Sequence, residues 1–352
     1  MGLPEINIEF KGKAVSAVSR SAMGIVALIL RDGTGTFDSI EYKSIEEIKT
    51  TDWTADNVDY IKKAFMGTPK KVICERLDTT ATDYNAALLR LGSKKWNYLA
   101  IPEILPAEVT DIETWIKTKR ENDKKTFKAV LPNSASDHEG IMNFATDELK
   151  VGAKTYSTEE YCARIAGALA GLPFTRSSTY LVLNEVESIK ESEDPDADIN
   201  AGKLILINDG EKIKIARGVN SLTTTTIEKT EDFKKIKILE VMDMVMDDIR
   251  DTFNNSYVGK VPNIYDNQVL FFTSVNAYFK TLAGDDILDP NFENKAEVNV
   301  EAQRLAWESI GTNTADWDDQ KVKSMSFKSK VFAAGKIKIV DAMEDLDFQI
   351  TI

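Results

Sequence analysis

The sequence has very few of the side chains on which catalysis and metal binding most often depend. His138 is its only histidine, and Cys74 and Cys162 are its only cysteines. A Ser-His-Asp triad or a Cys-His pair would have to use this one histidine, and one histidine with two well-separated cysteines also argues against a zinc site. Two cysteines indicate no disulfide framework, so we expect folding in a reducing cytoplasm.

The sequence also lacks long apolar runs and an excess of positive charge. No stretch approaches the ~18 consecutive apolar residues of a membrane span, and the first residues have neither the basic nor the apolar region of a signal peptide. The 57 acidic residues outnumber the 44 basic ones, which gives a net charge of −13. Phosphate binding requires clustered Lys and Arg, so we expect no nucleic-acid partner and no membrane contact.

The composition is otherwise that of an ordinary globular protein. Apolar residues make up 43% and charged residues 29% of the 352 residues. A chain of this length is expected to form roughly two domains. It can bury a large core without metals or disulfides.

The candidate catalytic and metal-binding residues have simpler structural explanations. His138 follows Ser136 and Asp137 in what resembles the first turn of a helix, so a surface or capping role is favoured over catalysis. An acidic run that begins at Asp194 resembles the start of a calcium loop, but Ile199 replaces its turn glycine and Ile205 its closing glutamate. An exposed acidic loop is favoured there, and we predict no catalytic residue, metal or cofactor.

The glycines also give no nucleotide-binding motif. The sequence contains no GxxxxGK[ST] loop, and Gly33 and Gly35 complete no GxGxxG. Gly167 and Gly171 are four residues apart within a helical pattern, which favours close helix packing. The two cysteines lie in apolar patterns and are predicted to be core thiols.

Strand and helix patterns alternate through the first two thirds of the chain. Residues 24–30, 71–75, 97–101 and 127–131 are apolar runs typical of buried strands. Capping boxes at residues 44–47, 110–113 and 157–160, and a helical pattern from about residue 55, predict helices between or after them. This alternation predicts an α/β fold with a central, mainly parallel sheet covered by helices.

Further along, the pattern changes. Residues 179–187 are predicted to form a strand, and residues 203–207 and 212–216 a hairpin around Asn208-Asp209-Gly210. We place a domain boundary near residue 230. Beyond it, amphipathic helices are predicted at 233–253, from about 267, and at 299–310, followed by strand-like segments at 327–333, 336–340 and 346–352. These elements indicate a C-terminal α+β domain.

Both ends of the chain have the alternating pattern of strands. The residues concerned are Glu5, Ile6, Asn7, Ile8, Glu9 and Phe10 at one end and Asp347, Phe348, Gln349, Ile350, Thr351 and Ile352 at the other. A terminal strand with no adjacent hairpin partner is suited to pairing with another subunit's sheet. Pairing within the same domain remains an equal alternative. Gly12, residues 14–17 and Gly335 are the expected hinges of these arms.

Charge is segregated near the end of the chain. Residues 320–340 contain lysines but no acid, and residues 341–347 contain four acids but no base. Such segregation favours an oriented contact surface, although a solvated strand face explains it equally well. The candidate residues of such a contact surface are Lys321, Lys323, Lys328 and Lys330.

Several short motifs, in order and spacing, resemble the contractile tail sheath family. They are Ser19-Arg20-Ser21 with Gly24-Ile25-Val26-Ala27, Ala163-Arg164-Ile165-Ala166-Gly167, Ala170-Gly171-Leu172-Pro173, Ser177-Ser178-Thr179-Tyr180, Asn263-Ile264-Tyr265-Asp266-Asn267 and Asp341-Ala342-Met343-Glu344-Asp345. The resemblance is to the short form of phages and R-type tailocins of low-GC Gram-positive bacteria, such as diffocin-like particles.

This resemblance implies a non-enzymatic subunit that stacks as hexameric rings around an inner tube and contracts. Its implied partners are further copies of itself, the inner tail tube protein, and baseplate and terminator or collar proteins. The implied division is an N-terminal arm (1–20), a central α/β sheath domain (21–230), a C-terminal α+β domain facing the tube (231–340) and a C-terminal arm (341–352). It also implies assembly in the bacterial cytoplasm and release by lysis, as part of a phage tail or tailocin.

Two other functions stay open from the sequence. One is a different tail structural protein, such as a tube or baseplate subunit, although a tube would be mostly β. The other is an α/β enzyme of unknown chemistry, which would need a polar pocket with perturbed titratable groups at the carboxyl ends of the strands.

Overall fold

The structure is a computed structural model, and it describes residue 18 and residues 24–351. The chain divides into two compact units, and the division lies within one helix, after Asp243. Residues 24–243 and 341–351 form what we call the sheet unit, and residues 244–340 form the helix unit. The predicted N-terminal strand, residues 5–10, lies outside the described residues.

The sheet unit contains strands, helices and short 3-10 turns in alternation. Its strands are β1 (Ile25–Arg31), β2 (Ser39–Tyr42), β3 (Lys71–Leu77), β4 (Tyr98–Ala100), β5 (Lys128–Pro132), β6 (Ile141–Phe144), β7 (Asp147–Val151), β8 (Lys154–Tyr156), β9 (Ser188–Lys190), β10 (Lys203–Leu204), β11 (Leu206–Asn208) and β12 (Ile213–Ile215). Its helices are α1 (Ala55–Phe65), α2 (Asn85–Gly92), α3 (Val109–Glu121), α4 (Thr158–Gly171), α5 (Pro195–Asn200) and the first turns of α6 (Ile236–Ser256). The 3-10 turns are Ile45–Glu47, Pro106–Glu108 and Glu231–Lys234.

The central sheet has seven strands in the order β10-β6-β5-β4-β1-β3-β2. All neighbouring pairs are parallel except β2 and β3, which are antiparallel at one edge. The predicted α/β class with a mainly parallel sheet is confirmed. Parallel strands need crossover connections, and helices supply these except between β5 and β6, which residues 133–140 connect without a helix.

Helices cover both faces of this sheet. Successive strand residues point to opposite faces, so Val26 and Leu28 of β1 pack in one apolar cluster, with α1 and α4. Ala27 and Ile29 pack in a second cluster, with α2 and α3. This three-layer arrangement explains why the strands are continuous apolar runs. Cys74 and Cys162 are buried, as predicted.

Helices α1 and α4 cross at a separation that only glycine allows. A Cβ on Gly167 would lie 1.9 Å from the carbonyl oxygen of Ala64, and one on Gly171 would lie 1.6 Å from that of Gly67. The predicted close helix packing at Gly167 and Gly171 is therefore confirmed. The same close approach explains why residue 67, just after α1, is a glycine.

Several local predictions were wrong. Residues 179–187 form no strand and contain one isolated bridge, between Val182 and Lys214. The acidic run from Asp194 is mostly helix α5, not a loop. The box at 44–47 opens only a 3-10 turn, and α3 begins at Val109, ahead of the box at 110–113. The hairpin around Asn208-Asp209-Gly210 is confirmed as β11 and β12.

A buried ionic cluster, which sequence reasoning missed, fixes the start of α6 to the sheet. The Lys128 ammonium, on β5, is fully buried and lies 2.9 Å from Asp243 and 3.1 Å from Glu240. Arg120 donates two hydrogen bonds of 3.0 Å to Asp243. Burial alone would lower the pKa of Lys128, but the two carboxylates hold it above its ordinary value. Removing one member would leave a buried charge unpaired.

The helix unit contains the rest of α6 with three helices and a two-stranded antiparallel sheet. Its elements are α7 (Tyr265–Gly284), β13 (Lys295–Val298), α8 (Val300–Glu308), α9 (Asp319–Ser324) and β14 (Ala333–Lys336). The three long helices were predicted, with ends that differ by a few residues. The strand-like segments at 327–333 and 336–340 are not strands over those bounds, since β14 covers 333–336 and Ile339 forms only an isolated bridge with Leu288.

His138 does not have the predicted surface or helix-capping position. It lies in the connection between β5 and β6, is only 4% exposed, and its Nδ1 accepts a hydrogen bond of 3.0 Å from the Gly140 N–H. Burial lowers the pKa of His138 to about 4, although Glu139 opposes this effect. The imidazole is therefore neutral in the folded protein at neutral pH.

We expect Gly167→Ala to lower the free energy of unfolding by at least about 2 kcal/mol, because the added methyl overlaps the backbone of α1. Gly92→Ala is the matched control, since its nearest neighbour is a Trp115 ring atom at 4.0 Å. Denaturant unfolding of both variants measures the difference. Equal stability of the two variants would contradict the close-contact explanation.

The pH dependence of stability tests the burial of His138. His138 binds a proton near pH 6.5 in the unfolded chain but not in the folded chain. The free energy of unfolding therefore falls as the pH drops from 7 towards 4. We expect the loss between about pH 7.5 and about pH 5 to be about 2 kcal/mol smaller in His138→Gln. The variant keeps every other titrating group, so the difference between the two stability profiles is due to His138. Parallel profiles of unfolding free energy against pH would show that the imidazole is not desolvated.

Candidate assembly site

The four candidate lysines lie in the helix unit, on and after α9. Lys321 is exposed on α9, and Lys323 lies 3.1 Å from Glu297. Lys328 and Lys330 are exposed, and their ammonium groups lie over the rings of Phe327 and Phe332. Among the described residues, no carboxylate lies within ion-pair distance of Lys321, Lys328 or Lys330, so three of the four ammonium groups face solvent.

The backbone around these lysines is ordered by one side chain. The Asn263 amide donates hydrogen bonds to the carbonyl oxygens of Lys328 and Lys330, at 2.9 and 3.1 Å. Lys328 has a positive φ of 46°, which an L-residue adopts at a cost. The backbone that carries the Lys328 and Lys330 side chains is therefore held in place by hydrogen bonds.

Strands β13 and β14 form a separate two-stranded sheet within the helix unit. Residues Lys295 to Val298 pair with Lys336 to Ala333 in antiparallel register. All four residues of β14 are exposed, and three of them are alanine or glycine. A sheet of only two strands is marginally stable alone and gains stability from a third strand. The expected hinge residue Gly335 lies inside β14, so it is not a hinge.

The first part of the C-terminal arm is fixed to the sheet unit by ion pairs. Asp341 pairs with Lys235, and Asp345 pairs with Arg217. Glu344 lies 3.3 Å from Arg217 and accepts a hydrogen bond of 2.7 Å from the Ser177 hydroxyl. Burial opposes ionisation of Asp341, but Lys235 holds its pKa below the ordinary value. We call residues 341–345 the anchor.

Sequence reasoning found the acids of the anchor but not their partners. Ser177, Arg217 and Lys235 are far away in sequence and carry no shared motif. The only available signal was the segregation of acids after residue 340. The anchor thus corrects the expectation that the whole segment 341–352 is an arm.

Residues 346–351, which we call the free segment, have no such contacts. Leu346 is 88% exposed, and Phe348 and Ile350 are each 73% exposed. No strand, hydrogen bond or ion pair is found for this segment within the described part of the chain, and Ile352 lies outside it. Three large apolar side chains at alternate positions thus face solvent, a costly arrangement in an isolated subunit.

The carboxyl edge of the central sheet offers little for catalysis. A polar cavity of about 280 Å³ lies beyond β5, β6 and β10, lined by residues that include Asn133, Thr146 and Asp198. Hydrogen bonds from Lys203 and Ser192 hold the pKa of Asp198 below its ordinary value, so this carboxylate is a weak base. No histidine or cysteine lines the cavity. The arrangement supplies no nucleophile activated by a neighbouring base.

Two other kinds of site are absent from the described residues. No group of three or more His, Cys, Asp or Glu side chains is arranged to hold a metal ion. No described helix combines the length and apolar character needed to cross a membrane.

Comparison with known sequences gives consistent matches. The family model described as phage tail sheath protein central domain matches residues 78–221, and that described as phage tail sheath C-terminal domain matches residues 228–352. The tail sheath protein of Clostridium phage phiCD119 is 39% identical over 359 residues, which cover 99% of each chain. The uncharacterised protein YqbK of Bacillus subtilis is 26% identical over 245 residues, 64% of this chain and 51% of that protein.

Comparison with solved structures gives the same fold. A sheath tail protein from Desulfitobacterium hafniense matches with a TM-score of 0.72 at 16% identity, over 84% of this chain and 94% of the other. The helical sheath of the anti-feeding prophage in its contracted state matches with a TM-score of 0.72 at 15% identity, over 100% of this chain and 99% of the other. The two family models and the full-length relative establish that this chain belongs to the phage tail sheath family.

Proposed function

We propose that the chain is the structural subunit of a contractile tail sheath. It polymerises as stacked hexameric rings around an inner tube and contracts to drive that tube through a target cell envelope. Its partners are further copies of itself, the tube protein, and baseplate and terminator or collar proteins. The observation that supports this most directly is the exposed apolar free segment, which follows an anchored stretch in a chain of the sheath family.

The free segment is suited to adding a strand to a neighbouring subunit. Its alternate residues Leu346, Phe348 and Ile350 would bury one apolar side, while its backbone would gain ladder hydrogen bonds. Burying one such side chain contributes about 1.5–3 kcal/mol to the free energy of association. Residues 5–10 are proposed to act in the same way at the other end. Linked subunits can then reorient without separating.

The anchor determines where such a link can bend. Since Asp341, Glu344 and Asp345 hold the chain against the sheet unit, the flexible point lies after Asp345. At the other end the expected hinge, Gly12 and residues 14–17, lies outside the described residues. Ion pairs this exposed are weak and sensitive to salt. The anchor is therefore suited to release or shift when the subunit changes its packing.

The exposed lysines are proposed to contact the tube or an acidic patch of a neighbouring subunit. Lys321, Lys328 and Lys330 have no carboxylate within ion-pair distance among the described residues, although the chain has a net charge of −13. Unpaired basic groups in an acidic chain favour an oppositely charged partner. On this proposal the helix unit, with the rest of residues 231–340, faces the tube, and residues 21–230 form the central α/β sheath domain.

The subunit is proposed to act without catalysis. The energy of contraction would be stored in the assembled lattice, because the sequence has no phosphate loop and the carboxyl edge of the sheet has no activated nucleophile. Assembly in the cytoplasm and release by lysis, in a phage tail or a tailocin, complete the proposal.

Removal of residues 346–352 is expected to leave a folded monomer that no longer polymerises. The physical reason is that the central sheet and both apolar clusters lack these residues, whereas the proposed inter-subunit strand consists of them. Negative-stain microscopy and size-exclusion chromatography measure the outcome. The full-length protein should form striated hollow cylinders, and cylinders from the truncated protein would contradict the proposed link.

A matched pair of variants tests whether the apolar side chains of the free segment, and not only its backbone, link the subunits. Phe348→Ser with Ile350→Ser should abolish cylinders, while Gln349→Ser should not, because Gln349 lies on the other side of a strand. If both variants polymerise alike, apolar burial by the free segment is not what links the subunits.

Reversal of Lys321, Lys328 and Lys330 to Glu is expected to impair sheath formation on tubes at low salt, because the contact then becomes repulsive. Raised salt should weaken the wild-type assembly and reduce the difference. The measurement is the sheathed fraction of tubes in micrographs after mixing with the tube protein of the same particle.

The control for this reversal changes as many exposed lysines in the sheet unit. These are Lys49, Lys70 and Lys190. We expect this control to form sheaths normally. Normal sheathing by the first triple variant at low salt would show that its lysines make no such contact.

A further inference from the structure

The imidazole of His138 makes a hydrogen bond that only its neutral form can make. Its Nδ1 accepts this bond from the Gly140 N–H, at 3.0 Å. Nδ1 therefore carries no proton, and the proton of the neutral ring is on Nε2. A second proton would place an N–H on Nδ1, directly opposite the N–H of Gly140. Two donors cannot bond to each other, so protonation of the ring must break this contact.

The other ring nitrogen has acceptors nearby but no bond to them. Nε2 is buried and has no hydrogen-bond partner among the described residues. One carboxylate oxygen of Glu121 and one of Glu139 each lie 3.8 Å from it, beyond hydrogen-bond distance. A positively charged ring is attracted to both carboxylates. Once protonated, the ring therefore has groups to move towards when it leaves Gly140.

The charged groups that face the ring come from four parts of the sheet unit. They are Lys117, Arg120 and Glu121 on α3, Glu139 beside the ring, Lys229 in the segment before α6, and Asp243 on α6. Burial lowers the pKa of His138 to about 4; Glu139 opposes this effect, and the three cations add to it. A charged imidazole is thus disfavoured while the ring keeps its buried position.

Gly140 brings the ring close to the side chain of Arg120. A Cβ at residue 140 would lie 2.5 Å from Cδ of Arg120 and 3.2 Å from Cε1 of His138. The ring and the arginine stem therefore lie against the same bare stretch of backbone. At the end of that stem, the guanidinium donates two hydrogen bonds to Asp243 of α6. Movement of the ring away from Gly140 would remove part of the packing that positions Arg120.

The connection between β5 and β6, residues 133–140, also holds the segment that leads into α6. The Ser221 hydroxyl accepts a hydrogen bond from the His138 N–H, at 3.2 Å, and donates one to the His138 carbonyl oxygen, at 2.9 Å. The Asp137 carboxylate accepts a hydrogen bond of 2.7 Å from the Thr223 N–H. A displaced His138 would therefore loosen both attachments.

We propose that His138 is an acid-sensitive switch, in which a second proton on the imidazole breaks the bond to Gly140 and opens residues 133–140 while the central strands stay paired. Opening releases the hold of these residues on Arg120 and on the segment that leads into α6. Strand β1 pairs with β3 and β4 and not with this connection, so the opening is local. The inference concerns the sheet unit alone and does not depend on the proposed function.

The size of the effect follows from the affinity of the ring for a proton in the two forms. The pKa of His138 is about 4 in the closed form, and an open, solvated ring binds the proton near pH 6.5. Opening therefore becomes more favourable as the pH falls, and its equilibrium constant is about 25-fold larger at pH 5 than at pH 7.5. At pH 7.5 the ring is neutral in both forms, and the closed form is retained.

Amide hydrogen exchange of the full-length protein at these two pH values tests the switch. After correction for the intrinsic pH dependence of exchange, we expect the Gly140 amide to exchange about 25-fold faster at pH 5 than at pH 7.5. The Leu28 amide, in the central strand β1, reports unfolding of the whole sheet unit and should exchange far more slowly than Gly140. Equal exchange at Gly140 and Leu28 at pH 5 would overturn the inference, because the proton would then enter only on global unfolding.

His138→Gln is the matched variant for this measurement. Its side-chain oxygen can accept the bond from the Gly140 N–H, but the group does not titrate. We expect the 25-fold change at Gly140 to disappear in this variant. Glu148→Gln, which removes an exposed carboxylate on β7, is the control and should keep the change. The same change in His138→Gln as in the wild-type protein would show that the imidazole is not the switch.

The wild-type protein also provides a readout that needs no variant, should His138→Gln fail to fold. His138 is the only histidine, so NMR spectra of the full-length protein labelled at histidine contain the signals of one imidazole. At pH 7.5 we expect a neutral ring with its proton on Nε2 and none on Nδ1. A proton on Nδ1 at that pH, or uptake of the second proton near pH 6.5 as in a solvated ring, would overturn the inference.

Discussion

The crossing of α1 and α4 is the contact on which the rest of the sheet unit depends. Nearly all of α4 is buried, because it packs against α1 and against the central sheet at once. This double contact requires the backbones to approach to a distance at which Gly167 and Gly171 leave no room for a Cβ. The Gly24 N–H, just before β1, also donates to the Ala170 carbonyl oxygen at 2.9 Å. A displacement of α4 would therefore shift both the covering helix and the first strand of the sheet.

Charged groups then fix the two places at which the chain passes between the units. On leaving the sheet unit, α6 is held by the buried pairing of Asp243 with Lys128 and Arg120. On returning, the chain is held by the anchor, whose ion pairs are more exposed. A buried pair that loses one partner leaves a desolvated charge, whereas an exposed pair exchanges its partner for water at little cost. The departure point is thus strongly fixed and the return point weakly fixed.

This difference is consistent with the task proposed for a sheath subunit. A lattice that rearranges needs bodies that keep their shape and links that change direction. The glycine contact and the buried cluster preserve the body, and on the proposed function the weak anchor with the exposed free segment would supply the link.

The sequence alone determined the features that depend on local burial. Continuous apolar strands, amphipathic helices and the turn at Asn208-Asp209-Gly210 appear in the pattern because neighbouring residues share one environment. The glycine spacing of α4 and the family resemblance were also readable. Only the tertiary structure decided that His138 is buried, that Lys128 is paired inside the core, that residues 179–187 form no strand and that the anchor binds the sheet unit. Each of these depends on partners distant in sequence, and a local pattern contains no information about which distant group will satisfy a buried charge or an unpaired backbone edge.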